Sequence, residues 1–150
     1  MRRQTISNST NRGTIAVELA LIVPFLVVMV IVIINLGLLF REHQILQNAA
    51  REGARLSALP ANHVSPLNPG VTLATVRNAV INYAAQENIT VTAANIAVVQ
   101  NYPISVGGGV TLYGSQVIIT YPRPLLIPAA PLLPAGPVTL TVRSVFGNLY

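Results

Sequence analysis

The feature that most constrains this chain is a run of 22 uncharged, mostly apolar residues at positions 19–40. An α-helix of that length spans about 33 Å, close to the ~30 Å hydrocarbon core of a bilayer. Hydrophobic residues make up 52% of the chain and charged residues only 9%, and this block accounts for much of the imbalance. The run predicts a single transmembrane helix, which we expect over residues 14–40.

The charges beside the run predict its orientation. Three arginines lie on its N-terminal side: Arg2, Arg3 and Arg12. On the other side Arg41 is balanced by Glu42. Because cationic flanks stay in the cytoplasm, we expect residues 1–13 to be a cytoplasmic basic leader. Residues 41–150 would then lie on the opposite side of the membrane.

A removable secretory signal is the main competing interpretation of the run. Such a signal has an apolar core of ~7–15 residues that ends at a small-x-small cleavage site. The core here is longer, and residues 38–41 (LLFR) offer no such site. The sequence therefore favours a segment that stays attached to the exported part.

The composition argues against several classes of function. Net charge is +5, but outside the leader six arginines face four glutamates, too thin an excess for a nucleic-acid surface. The chain has no cysteine, so disulfides and thiolate metal sites are excluded. Beyond the run the acids are only Glu42, Glu52 and Glu87, and we expect His43 and His63 to be solvated surface residues. The sequence predicts no enzyme, no cofactor, no metal site and no small-molecule substrate.

One carboxylate stands near the start of the apolar block. Glu18 follows Gly13 by five residues. A carboxylate within a bilayer costs up to ~3 kcal/mol, less towards the interface, and usually has a partner. Glu18 can lie at headgroup depth in the first helical turn, where the helix dipole favours an anion. Alternatively, it pairs with a group on another chain.

Residues 12–24 (RGTIAVELALIVP) resemble the type IV prepilin signal, with its basic leader, glycine, glutamate and long apolar helix. The resemblance implies that a prepilin peptidase cuts between Gly13 and Thr14. It also implies that Glu18, then the fifth mature residue, pairs with the N-terminal amine of a neighbouring subunit. Such pairing would offset the cost of burying this carboxylate.

The next block narrows the resemblance. After Pro24 and Gly37, residues 48–55 read NAAREGAR. Over residues 12–58 the chain resembles the TadE-like family, minor pseudopilins of the tight-adherence (Flp) pilus system, although Leu19 stands where that family usually has an aromatic residue. The resemblance implies that the partners are other pilin or pseudopilin subunits and the pilus assembly machinery, together with the lipid bilayer.

Residues 41–59 are predicted to extend the long helix past the membrane. Small and apolar residues recur at helical spacing along one face: Leu46, Ala49, Ala50, Gly53, Ala54 and Ser57. Such residues let backbones approach closely. The stripe packs either on its own domain or on another subunit within a pilus, and the sequence leaves both open. Pro24, about one turn into the run, is expected to kink or locally open the helix.

Residues 60–150 predict a small extracytoplasmic α+β domain. A loop to residue 69 precedes a second helix over 71–86. β-forming residue types predict strands at 95–102 and 115–121, and clean alternation predicts a third strand at 138–146. Six prolines between positions 122 and 137 predict a Pro-rich loop that either folds over the sheet or contacts a partner or the membrane surface. The predicted fold class is α+β, with a long transmembrane helix, a second helix and a small antiparallel sheet, pilin-like in layout.

These features predict a minor pseudopilin or pilus-assembly component that acts by helix packing and protein contact. An uncleaved, signal-anchored envelope protein with a periplasmic partner-binding domain is the alternative. A membrane-tethered enzyme is a third interpretation, but it predicts clustered acids or histidines that the sequence lacks.

Overall fold

The structure is a computed structural model, and it describes residues 9–59, 69–124 and 136–148. The helices and strands follow in the order α1 (Ser9–Ser57), α2 (Pro69–Gln86), β1 (Ile96–Ser105), β2 (Thr111–Arg123) and β3 (Val138–Gly147). The three strands form one antiparallel sheet in the order β1-β2-β3. The predicted α+β class, with a long apolar N-terminal helix, a second helix and a small sheet, is confirmed.

The chain divides into two units, residues 1–38 and 39–150. In the first unit, α1 is continuous through Pro24, and most of its large apolar side chains are exposed. The stretch Gly13–Ser57 is long and apolar enough to cross a membrane. Asn35 satisfies its polar group within the helix, because its Nδ2 donates to the Ile31 carbonyl at 3.0 Å. This unit is a candidate membrane anchor.

The second unit has its hydrophobic core between two helices and one face of the sheet. The end of α1 contributes Leu46 and three alanines, and α2 contributes Val76, Val80 and Ala84. The sheet contributes chiefly Val117 and Ile119 from β2 and Val142 from β3. Alternate residues of β3 point to the core, with Leu140 and Val142 facing inward and Thr139 and Thr141 exposed, so the apolar alternation of this strand reports its buried face correctly.

The strands are longer than the residue pattern predicts. β1 continues through Pro103 to Ser105, and β2 continues through Pro122 to Arg123. Proline is tolerated where a strand lacks a neighbour on one side. β1 is an edge strand, and it begins at Ile96 opposite Ile119, so β2 is paired only with β3 at Pro122. Two residues expected in the Pro-rich loop of 122–137 therefore belong to the sheet, and residues 125–135 of that loop lie outside the described residues.

The hairpin between β1 and β2 depends on glycine. Gly107, Gly108 and Gly109 all have positive φ (90°, 61° and 79°), a conformation that other residues adopt only at a cost. The turn is closed by the Val106 amide, which donates to the Val110 carbonyl at 3.2 Å. The glycine triplet thus forms the turn that connects β1 to β2.

Candidate assembly surfaces and charged contacts

The residues expected at the processing site all lie in the first unit, on α1. Gly13, Thr14 and Glu18 are exposed there, and so is Pro24 further along the helix. Among the residues that the structure describes, Glu18 has no ion pair. Its neighbours along the helix are exposed apolar side chains, including Val17 and Leu19. An exposed carboxylate within an exposed apolar surface is the arrangement that a charged group on another chain could complement.

The small-residue stripe lies inside its own domain. Ala49, Ala50 and Ala54 are fully buried in the core cluster. A Cβ built on Gly53 would lie 2.5 Å from the Val80 Cγ2 and 3.5 Å from a methyl carbon of Val117. Glycine at this position therefore lets α1 approach α2 and the sheet closely. In this structure the stripe is occupied by intramolecular contacts, which leaves the other faces of α1 open to partners.

Each carboxylate of the second unit's described residues is paired with its own arginine. Glu52 Oε1 lies 2.9 Å from Arg55 Nη2, one helical turn away. Oε2 of Glu87, just after α2, lies 3.1 Å from Nη2 of Arg41, and both side chains are about half exposed. The third pair joins Glu42 to Arg123. Glu42 precedes Leu46 by four residues and Ala49 by seven, so it lies on the same face of α1 as the small-residue stripe. Periodicity therefore indicates the face on which Glu42 lies but does not identify Arg123 as its partner.

The Glu42–Arg123 pair differs from the other two in burial. Arg123 Nε lies 2.6 Å from Glu42 Oε2, and the two side chains are only 6% and 19% exposed. Arg123 Nη1 is buried and has no hydrogen-bond partner among the described residues. The Glu42–Arg123 contact is close in distance but lacks the angle of a hydrogen bond. The pair connects the end of β2 to α1 immediately after the apolar run.

Two side-chain amides connect α1 to both edges of the sheet. Gln100 on β1 donates to the Ser57 hydroxyl at 3.1 Å, at the C-terminal end of α1. Gln47 on α1 donates to the Arg143 carbonyl of β3 at 3.1 Å. A carbonyl on an outer strand is otherwise open to pairing with another chain. These contacts connect the helix to β1 and β3, and the Gln47 contact also occupies one backbone carbonyl of the outer strand β3.

The pairing of Glu52 with Arg55 on the surface of α1 shifts the pKa values of both side chains. Arg55 donates to both carboxylate oxygens of Glu52, at 3.0 and 2.9 Å. This bidentate hydrogen bond lowers the pKa of Glu52 below its ordinary value of 4.5, against a smaller opposing effect of burial. The same contact raises the pKa of Arg55. Both side chains are charged at neutral pH.

The described part of the chain has no cluster of histidines and carboxylates that could form a metal site. His43 is exposed on α1, and His63 lies outside the described residues. Among the described residues, no group of three His, Asp or Glu side chains could hold a metal ion.

Comparison with known proteins gives one family match. Residues 13–55 match the model of the TadE-like protein family. This confirms the resemblance predicted from the two motifs at the ends of the long helix, and it associates the chain with the tight-adherence pilus system. Searches of curated proteins and of solved structures found no match to the chain.

Proposed function

We propose that this protein is a minor pseudopilin or an assembly component of a tight-adherence pilus. The observation that carries the proposal is the TadE-like match over residues 13–55, which begins at the glycine expected to precede the cleavage site. The matched segment lies wholly within the single helix α1. The protein acts in this proposal by helix packing and protein contact, without catalysis or a cofactor.

The proposed topology follows from the charges that flank the apolar run. Residues 1–13 stay in the cytoplasm, residues 14–40 span the inner membrane, and the domain that follows lies in the periplasm. Prepilin peptidase removes the leader after Gly13, so that Thr14 becomes the N-terminus. The exposed apolar side chains of α1 support the membrane-spanning part of this proposal, because they can contact either lipid or the helices of other subunits.

The assembly role is assigned to the first unit and to the outer faces of α1. Glu18 guides docking by pairing with the amine of a neighbouring subunit. Ala49, Ala50, Gly53 and Ala54 contribute indirectly, because their burial fixes the exported domain on the end of the helix. Pro24 remains a candidate position for helix adjustment during packing.

N-terminal sequencing of the membrane-extracted protein tests the processing step. In a host with prepilin peptidase we expect the sequence to start at Thr14, and in a peptidase-deletion strain at Met1 or Arg2. An intact start in both strains contradicts processing. The alternative, an uncleaved envelope protein with a partner-binding domain, predicts that intact start and no recovery of the protein in sheared pili.

A further inference from the structure

A cleft of about 410 Å³ lies on the second unit. Its walls come from the polar face of α1, from α2 and from the end of β3. The side chains that give it its chemistry are Arg51, Glu52, Arg55, Tyr83, Ser144 and Phe146. The cleft thus combines cationic, polar and aromatic groups in one place.

Arg51 is the cation in this cleft that lacks a carboxylate. The three carboxylates described in the second unit are paired with other arginines, Arg41, Arg55 and Arg123. The Glu52–Arg55 pair lies in the cleft itself. Arg51 is exposed and has no ion pair among the described residues. Because Arg55 is neutralised by Glu52, the cleft has one positive charge that no described residue compensates. A guanidinium offers paired donors that match a carboxylate in a bidentate fashion.

The rest of the lining favours a polypeptide over a small inorganic anion. Phe146 is 40% exposed, and Tyr83 is partly exposed beside it in the lining. Arginine and tyrosine are the residue types that carry most of the binding energy in protein interfaces. In a segment with an acidic side chain next to an apolar one, the carboxylate would therefore contact the arginine and the apolar side chain would contact the aromatic rings.

The position of Arg51 along α1 argues against a lipid headgroup. Arg51 follows Phe40, the last residue of the uncharged run, by eleven residues, which is about 16 Å of helix. The headgroup region extends only ~5–8 Å beyond the hydrocarbon core. If the span ends at residue 40, as proposed above, a protein partner reaches Arg51 and a lipid headgroup does not.

We propose that this cleft binds an acidic segment of a partner protein, whose carboxylate pairs with Arg51 while an adjacent apolar side chain packs on Tyr83 and Phe146. The partner is a different chain, because the carboxylates described in this domain are already paired. The inference depends on the proposed function only in naming that partner as another pilus subunit. Binding at the cleft requires neither cleavage nor pilus entry.

The test uses the full chain in phosphatidylcholine nanodiscs and a blocked acidic pentapeptide, LEFEL, with LQFQL as its neutral counterpart. NMR follows the Arg51 side-chain N–H and the Tyr83 ring. We expect saturable shifts with LEFEL and none with LQFQL. The Arg51→Gln variant is expected to weaken binding by about tenfold, and Arg51→Lys to recover part of it.

Arg143→Gln is the matched control, because Arg143 is also exposed and lacks a carboxylate partner among the described residues. Its contact with Gln47 uses only the backbone carbonyl and survives the substitution. An equal loss in both variants would reduce the effect to general charge and overturn the proposal. So would the same shifts on adding phosphatidylglycerol, which identify a lipid, or on concentrating the chain alone, which identify a second copy. If LEFEL binds but the protein neither enters pili nor is needed for their assembly, the proposed function is overturned and the cleft assignment stands.

Discussion

Arg123 Nε lies 2.6 Å from Glu42 Oε2, and this contact joins the last residue of β2 to the first turn of α1 beyond the apolar run. The arginine is 6% exposed and the glutamate 19% exposed. An ion pair so removed from water adds little net stability, since desolvation offsets the attraction between the charges. It does make the arrangement specific, because either charge alone would be costly at this position.

Removing one partner of this pair should therefore cost much more than removing both. We expect Arg123→Met to lower the free energy of unfolding by about 2–4 kcal/mol, because it leaves Glu42 uncompensated. The double variant E42M/R123M should lie within about 1 kcal/mol of the parent protein, since apolar groups of similar size replace the pair. Urea unfolding of the full chain in detergent, followed by tyrosine circular dichroism, measures both.

The Arg41–Glu87 pair serves as the exposed control for that experiment. Its side chains are 59% and 47% exposed, so water screens the interaction. Arg41→Gln should change the free energy of unfolding by less than about 1 kcal/mol. A loss as large as that of Arg123→Met would mean that burial is not what distinguishes the two pairs.

Gly53→Ala should destabilise the domain although alanine is the better helix former. A Cβ at this position meets the Val80 Cγ2 at 2.5 Å, and the β-branched Val80 has little rotamer freedom in a helix. We expect a loss of about 1–3 kcal/mol from overpacking, against a gain of up to ~1 kcal/mol in helix propensity. Thermal and urea unfolding of the full chain would show the loss.

Val80→Ala supplies the second half of this test, because it removes the methyl group that clashes. In that background Gly53→Ala should cost less than about 0.5 kcal/mol, a coupling expected of residues in direct contact. Gly37→Ala is the matched control, since a Cβ there has nothing within 4 Å. Equal effects of Gly53→Ala with and without Val80 would argue against the clash.

The Glu52–Arg55 contact predicts a local titration. Because the folded pKa of Glu52 is lowered below 4.5, its contribution to stability is present above that pH and is lost as the pH falls through the folded value. Solvent screening keeps this contribution below about 0.5 kcal/mol. Arg55→Gln should move the pKa back towards 4.5, while Arg51→Gln should leave it unchanged. Carboxyl ¹³C NMR of the full chain measures each shift.

The sequence predicts most of this fold because its periodicities report which faces are buried. Small residues three and four apart identify the inner face of α1, including Gly53, and the alternation around Val142 identifies the core face of β3. These patterns depend only on local geometry and on the exclusion of apolar groups from water. For that reason the buried faces can be predicted without knowing how the helices and strands are arranged in the fold.

The charged contacts could not be predicted in the same way. Glu42 shares its helix with several charged residues, and only the register of β2 brings Arg123 to it. That register extends past Pro122, where the proline content of the sequence predicts a loop. Gln100 reaches Ser57 for a similar reason, across 43 positions of sequence. Long-range pairs of this kind depend on the topology of the fold, and the periodicity of the residues does not predict that topology.

Glu18 offers the sharpest test of the proposed assembly role, because it is exposed and unpaired among the described residues of a helix that is otherwise apolar there. Glu18→Gln keeps the shape and removes the charge. We expect recovery of the variant in membranes to be unchanged and its recovery in sheared pili to fall at least about tenfold. A tenfold loss corresponds to about 1.4 kcal/mol, which is more than a solvent-exposed ion pair contributes. Glu87→Gln, a charge loss outside the helix, should leave both recoveries unchanged. Normal pilus recovery of Glu18→Gln would identify Glu18 as a headgroup-depth residue with no role in docking.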